Sequence, residues 1–235
     1  MENNVNKIES LIKQGVRIPC PFGVMIHPSA RIGAGTVIYP CTIIKEDCEI
    51  GTDCSIGPCT VLYKTRVGEG CTLDSVHSEE AVIGSFVTAG PFVHIRPGSL
   101  IGDRVKIGNF VEIKNSGIGE NTAVAHLTYV GDSDVGKGVN FGCGTVTVNF
   151  NGKEKNRCKI GNYAFIGCNT NLIAPVSVGE RAYTAAGSTI TEDIPPDALA
   201  IARARQTVKA DWVKEKKPYK ENKHTEIRES ADSGG

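Results

Sequence analysis

The chain has 235 residues, enough for one large domain or two small ones, with 26 Lys plus Arg against 26 Asp plus Glu. Zero formal charge excludes a general nucleic-acid binder, which carries a basic excess, so an anionic ligand must be held by locally placed cations. Aromatic residues are scarce at 6% against 27 glycines, and no run approaches the ~18 apolar residues that span a membrane, so repetitive packing of small aliphatic side chains is expected in place of a membrane segment.

In chain order, Val5, Ile8, Leu11 and Ile12 have helical spacing, with Asn3 or Asn4 as cap, and predict a short amphipathic helix over 5–14 that covers the first coil of a repeat. The segment 1–14 lacks the basic-then-apolar layout of a signal peptide, which makes the cytoplasm the expected compartment. From Ile26 a period of six takes over: Ile26, Ile32, Ile38, Ile44, Ile50, Ile56 and Leu62 succeed one another without a gap. The phase slips and resumes at Ile83, Ala89, Ile95, Ile101, Ile107 and Ile113, continues through Ile118, Val124, Val130, Val135 and Phe141, and returns from Ile160 to Ile190. Period six is too long for strand alternation and does not match 3.6, but it suits a short strand plus a turn. Three such hexads close a triangular coil of about 18 residues whose aliphatics point inward and whose coils stack ~4.8 Å apart. The glycine that often comes after the aliphatic, as in Ile32-Gly33 and Ile50-Gly51, is expected to supply the unusual backbone of the corner.

The resulting expectation is an all-β solenoid, a parallel β-helix, over 17–195, with roughly nine or ten coils stabilised by stacking on one another. Ile50 and Ile107 should be fully buried. Residues 1–16 form the helical segment, Pro195-Pro196 ends the repeat, 196–213 is a C-terminal extension with a helical turn near Trp212, and the charge-rich 214–235 is a disordered tail. The nine cysteines are odd in number and form no CxxC pair, and are expected as buried or half-buried thiols free of disulfides and metal. One stretch, Asn149 to Arg157, breaks the register and reads as a loop ejected from a corner, where function tends to sit on a rigid scaffold.

Specific strings occupy 90–213. They include Ile95-Arg96-Pro97-Gly98, Gly108-Asn109-Phe110-Val111-Glu112-Ile113-Lys114, Ala125-His126-Leu127-Thr128-Tyr129-Val130-Gly131-Asp132, Val148-Asn149-Phe150-Asn151-Gly152 and Ala185-Ala186-Gly187-Ser188. In this order they resemble the acetyltransferase domain of the bacterial bifunctional glucosamine-1-phosphate acetyltransferase / N-acetylglucosamine-1-phosphate uridylyltransferase, a hexapeptide-repeat acyltransferase. The resemblance covers about half the chain, while 17–89 match only as generic coils. It implies a left-handed coil, which spacing alone does not, since parallel crossovers are right-handed by default. No counterpart of the family's nucleotidyltransferase domain is read in these residues, and no uridylyl transfer is expected.

The resemblance further implies that the acetyl group of acetyl-CoA moves to the amine of an amino-sugar phosphate, with glucosamine-1-phosphate first among acceptors. His126 matches the family's catalytic base, and the chemistry needs one, because attack on a thioester requires a free lone pair and the adduct must shed a proton. Arg96, Lys114, Tyr129 and Asn140 match its sugar-phosphate positions. Cys143, Asn149, Phe150, Cys168, Ala186 and Arg203 match its acetyl-CoA positions. Three of these depart from the family's usual Ala, Tyr and Ser, namely Cys143, Phe150 and Cys168. Glu112 is a candidate to orient His126, and Lys155 and Arg157 to attract the CoA phosphates. The implied enzyme is a homotrimer with acetyl-CoA in a groove between two prisms. An amide near Cys168 or Ala186 faces the oxyanion, with no covalent acyl-enzyme and no metal. Alternatives are galactosamine-1-phosphate or a nucleotide amino sugar as acceptor, and a non-catalytic sugar-nucleotide binding scaffold. A β-helix carbonic anhydrase would need converging histidines, and the five here, His27, His77, His94, His126 and His224, form no close pair in sequence.

Overall fold

The computed structural model describes residues 2–216. It divides into two units at Arg203 and Ala204. The first opens with helix α1, Glu2–Lys13, and continues as a parallel solenoid of three sheets with 10, 9 and 10 strands. Sheet 1 begins at Met25–Ile26, sheet 2 at Arg31–Ile32 and sheet 3 at Val37–Ile38, and the chain visits them in rotation. Each strand pairs with its counterpart one coil later, as in Met25↔Ile43 and Ile26↔Ile44. Most strands are two residues long, with the first outward and the second buried, which is what a hexad with one aliphatic per flat side dictates. Ile50 and Ile107 lie in this core at 4% and 2% exposure, as their phase requires. The coil is the left-handed parallel β-helix of hexapeptide repeats implied by the resemblance.

Coil length explains both phase irregularities. Paired residues are 16 to 18 apart along most of the prism, as in Met25↔Ile43, His77↔Val61 and Val76↔Val93, so the slip after Leu62 reflects coils shortened at a corner. Val146 instead pairs with Asn171, 25 residues on, and the excess is the loop around Asn149 to Arg157. The ejected loop is an ordered hairpin. Phe150 and Lys155 form an antiparallel bridge, and the Asn151 Oδ1 accepts the amides of Lys153 and Glu154 at 2.9 Å each.

The glycine after the aliphatic has a different cause from the one expected. At Gly33, Gly51 and Gly119 the backbone is not left-handed; a Cβ there would lie within 2.7 Å of the backbone of the next coil. The left-handed residue comes two positions later, at Gly35 (φ 77°) and Asp53 (φ 54°). Small size, not backbone freedom, selects the first glycine.

The ends also differ from expectation. Helix α1 starts at Glu2, so Asn4 does not cap it; its side chain instead accepts the Ile26 amide at 2.8 Å and donates to the Val24 carbonyl at 3.0 Å, tying helix to first coil. Leu11 is buried and Ile8 packs against the core, while Val5 and Ile12 stay exposed. Pairing continues past Pro195-Pro196, since Leu199–Ala200 adds to Tyr183–Thr184. In the second unit, 206–211 is irregular, and the helix near Trp212 is α2, Trp212–Lys216. The expected tail lies, beyond Lys216, outside the described residues. No helix of the described residues is long and apolar enough to cross a membrane.

Candidate active site

The corner between sheets 3 and 1 gathers most of the candidate residues. His126 ends the sheet 3 strand Ala123–His126 and pairs in register with Asn109 on the preceding coil. Its Nδ1 lies 3.0 Å from the Asn109 Oδ1. An amide oxygen only accepts, so Nδ1 is the donor in this contact, and in the neutral form of the ring Nε2 then carries the lone pair. Two residues beyond the paired Val124, Phe141, Ile166 and Thr184 stand His126, Cys143, Cys168 and Ala186 on four successive coils. Carbonyl ladders confirm the stacking: Gly144 donates to His126, Asn169 to Cys143 and Gly187 to Cys168. The amides of Cys168 and Ala186 have no acceptor among the described residues, which leaves two donors beside this column. Arg203 reaches the same end, its Cδ 3.7 Å from where a Cβ on Gly187 would sit.

On the sheet 1 side, Arg96, Lys114 and Tyr129 project outward from adjacent strands; on the sheet 3 side Asn140 pairs with Ala123 and Phe165. Gly131 is needed for this arrangement, because a Cβ there would lie 2.3 Å from the Tyr129 hydroxyl. The bare backbone lets the phenol lie along the strand, where Asn149 donates to its oxygen at 3.4 Å.

The organising residue beneath the cations is Asp132, which closes the string around His126 but carries no signal of its role in linear order. It is buried, accepts from Asn115 Nδ2 at 2.6 Å and from Asn149 Nδ2, and faces Lys114 Nζ at 3.7 Å. Burial alone would raise its pKa, but the hydrogen bonds from Asn115 and Asn149 and the charges of Lys114 and Lys155 overcome it and hold the carboxyl below its usual range. A group depressed in the folded state stabilises above its unfolded pKa of ~3.9 and loses that contribution as pH falls through the folded value. The stability difference between the parent and Asp132→Asn, read from urea midpoints, is therefore expected to be constant from pH 7 to about 5 and to shrink below about pH 4. A difference that grows on acidification would contradict the assignment.

Several expectations are corrected. Glu112 does not reach His126; it accepts from Arg96 Nη1 at 2.8 Å, and Asn109 fills the orienting position, a residue visible in the Gly108-Asn109-Phe110 string but not singled out there. Lys155 stands near Lys114, which pushes the Lys155 ammonium pKa down, and near Asp132; neither contact bears on its expected attraction for the CoA phosphates. Arg157 is spent on the scaffold, paired with Asp134 at 2.5 Å and donating to the Asn115 and Ser133 carbonyls at 3.0 and 3.2 Å. Phe150 is exposed on the hairpin. All nine cysteines are free, yet Cys20, Cys41, Cys59 and Cys168 are exposed, because they occupy outward positions of the coil. His77 and His94, distant in sequence, are register partners with ring centroids 5.2 Å apart. Two concavities of the chain, one along Leu100, Ile118 and Val135 and one between α1 and the first coils, are not lined by His126, which stands on a convex corner.

Similarity to known proteins agrees with this picture. Residues 80–115 and 157–192 match the bacterial transferase hexapeptide (six repeats), and 22–89 match the GMPPB C-terminal domain. The chain is thus a hexapeptide-repeat solenoid of the kind found in bacterial transferases. Its resemblance to the bifunctional enzymes is borne out. It is 53% identical over 212 residues to the "Bifunctional protein GlmU" of Caldicellulosiruptor saccharolyticus, covering 90% of this chain and 46% of that protein. It is 52% identical over 199 residues to the one of Geobacillus sp., covering 85% and 43%. The chain spans about half the length of the curated relatives it matches. Among solved structures, the UDP-N-acetylglucosamine acyltransferase of Francisella novicida superposes with a TM-score of 0.60 at 18% identity, covering 88% of this chain and 76% of that one, a likeness of fold.

Proposed function

We propose that the chain is an acetyl-CoA-dependent N-acetyltransferase whose acceptor is an amino-sugar phosphate, glucosamine-1-phosphate first, and whose base is His126. The observation that carries this reading is the Asn109–His126 contact on the sheet 3 edge, with Tyr129, Lys114 and Arg96 on the adjoining sheet 1 face and Asn140 on the next sheet 3 strand. The resemblance to one half of the bifunctional relatives supports it. Arg96 and the paired ammoniums of Lys114 and Lys155 attract the acceptor phosphate, and Tyr129 and Asn140 meet ring hydroxyls. The sugar nitrogen attacks the thioester carbonyl, His126 Nε2 takes the proton it sheds, and collapse of the adduct breaks the C–S bond and releases CoA thiolate, which is protonated on leaving. The Cys168 or Ala186 amide stabilises the oxyanion.

The small side chains of Cys143, Cys168 and Ala186 make a shallow strip for the pantetheine, with Asn149, Phe150 and Arg203 around it. A single convex corner does not enclose a ligand of that length, so the groove is completed by a second prism in a homotrimer of cytoplasmic chains. The transfer needs no metal and no acyl-enzyme.

An assay of acetyl-CoA turnover over a panel of amino-sugar phosphates tests the reading, with glucosamine-1-phosphate expected to outrun galactosamine-1-phosphate. Turnover with galactosamine-1-phosphate alone would move the acceptor, and turnover with none would leave a binding scaffold. In the same assay Arg96→Ala should raise acceptor KM about 10–100-fold with kcat little changed, the loss of about 1.5–3 kcal/mol carried by a hydrogen bond to a charged group. Sedimentation of the active protein as a monomer would exclude the shared groove.

A further inference from the structure

The sheet 1 face carries a second cluster of functional groups, one coil before Arg96. On the strand Val76–Glu79 the inward residues are Val76 and Ser78, so His77 and Glu79 both point outward, two residues apart. On the next strand, Val93–Ile95, His94 also points outward and pairs in register with His77. His77 Nε2 lies 3.0 Å from Glu79 Oε1, and one ligating atom from each of the three side chains lies within 4.8 Å of the others. We propose that His77, Glu79 and His94 form a binding site for a single divalent transition-metal ion of the zinc class, with one coordination position left to solvent.

The donor set and the scaffold both support this. Two imidazoles and one carboxylate are the three-ligand set of an open zinc site, whereas hard ions such as magnesium favour oxygen ligands alone. With metal–ligand bonds of about 2.1 Å, the edge of a tetrahedron is about 3.4 Å. The 3.0 Å His77–Glu79 contact is already close to that length, and the remaining separations, all within 4.8 Å, require only small rotations of half-exposed side-chain ends. The backbones beneath are paired strands of a rigid solenoid, so two of the three ligands are pre-positioned by one ladder and the third by strand alternation. The neighbouring Arg96 is engaged by Glu112 at 2.8 Å, so its charge is partly offset. The site is independent of the transferase reading: none of its three ligands is in the column around His126.

Titration of the untagged full chain, stripped with EDTA, tests the proposal. Co²⁺ followed by visible absorption reports ligand type, and Zn²⁺ followed by calorimetry reports affinity. One ion per chain is expected, with the d–d bands of a nitrogen and oxygen site and without thiolate-to-cobalt charge transfer. His94→Gln and His77→Gln should each weaken binding by at least about 100-fold, more than the 10–100-fold lost with an outer-shell partner. Glu79→Gln should weaken it less, since an amide oxygen still coordinates. Circular dichroism of the metal-free variants verifies the fold, and the two histidines lie on different strands, so failure of one variant to fold leaves the other as the test. Absence of binding, binding unchanged in His77→Gln and His94→Gln, or a spectrum dominated by thiolate charge transfer would each overturn the site and leave His77–Glu79 an ion pair.

Discussion

His126→Ala is expected to lower turnover with the best acceptor by about 10²–10⁴ while leaving acetyl-CoA affinity within about twofold, the range set by removal of a general base. The asymmetry comes from position. The imidazole is held by Asn109 on the sheet 3 edge of the corner, and in the proposed function its Nε2 meets the acceptor amine, not the acetyl-CoA. The strip proposed for the pantetheine begins one coil later, at Cys143. His126 is exposed, so its removal leaves no buried cavity. Turnover and acetyl-CoA affinity measured on one preparation check the expectation. Turnover at the parent's rate would make His126 an ordinary corner residue and remove the chemical basis of the proposed function.

Asp132→Ala is expected to destabilise the chain by about 3 kcal/mol, as breaking a buried ion pair from one side does, and to reduce transfer as well. The carboxylate is the common partner of Asn115, Asn149 and Lys114, and it lies beneath two ammonium groups that otherwise repel. Without it Asn149 is buried with an unmet donor, and the Lys114–Lys155 pair has no counter-charge from within the fold. Asp132→Asn, which keeps the shape, should cost less. Urea midpoints and acceptor KM measured together separate stability from site geometry. A midpoint for Asp132→Ala within about 0.5 kcal/mol of the parent would show that the lysines do not need the carboxylate.

Much of the prism is legible in the residue order. The six-residue period specifies which side chains face inward, because most flat sides of a coil carry a two-residue strand with one residue outward and one aliphatic buried. The Asn149–Arg157 break is legible for the same reason: any insertion into a stacked coil must leave at a corner. The motif strings also lead to His126, Arg96, Lys114 and Tyr129; the structure places His126 at the end of a sheet 3 strand and the other three on the adjoining sheet 1 face, with Lys114 at the far end of its strand. The roles of Asn109 and Asp132 are not legible. Both sit in the same strings, but nothing in a linear order says that residue 109 stands beside 126 or that 132 underlies 114 and 149.

Local period is enough to specify the six-residue sides of the coil, its inward face and its interrupted corner. Which outward residues meet is set one level higher, by the stacking of the coils. Outward neighbours on a solenoid come from adjacent coils, and here the coils vary between 16, 17, 18 and 25 residues. A shift of one or two residues at a corner moves a side chain to another column. That is why Glu112 faces Arg96 and not His126, why Lys155 meets Lys114, and why His77 and His94, unremarkable in linear order, stand side by side with Glu79.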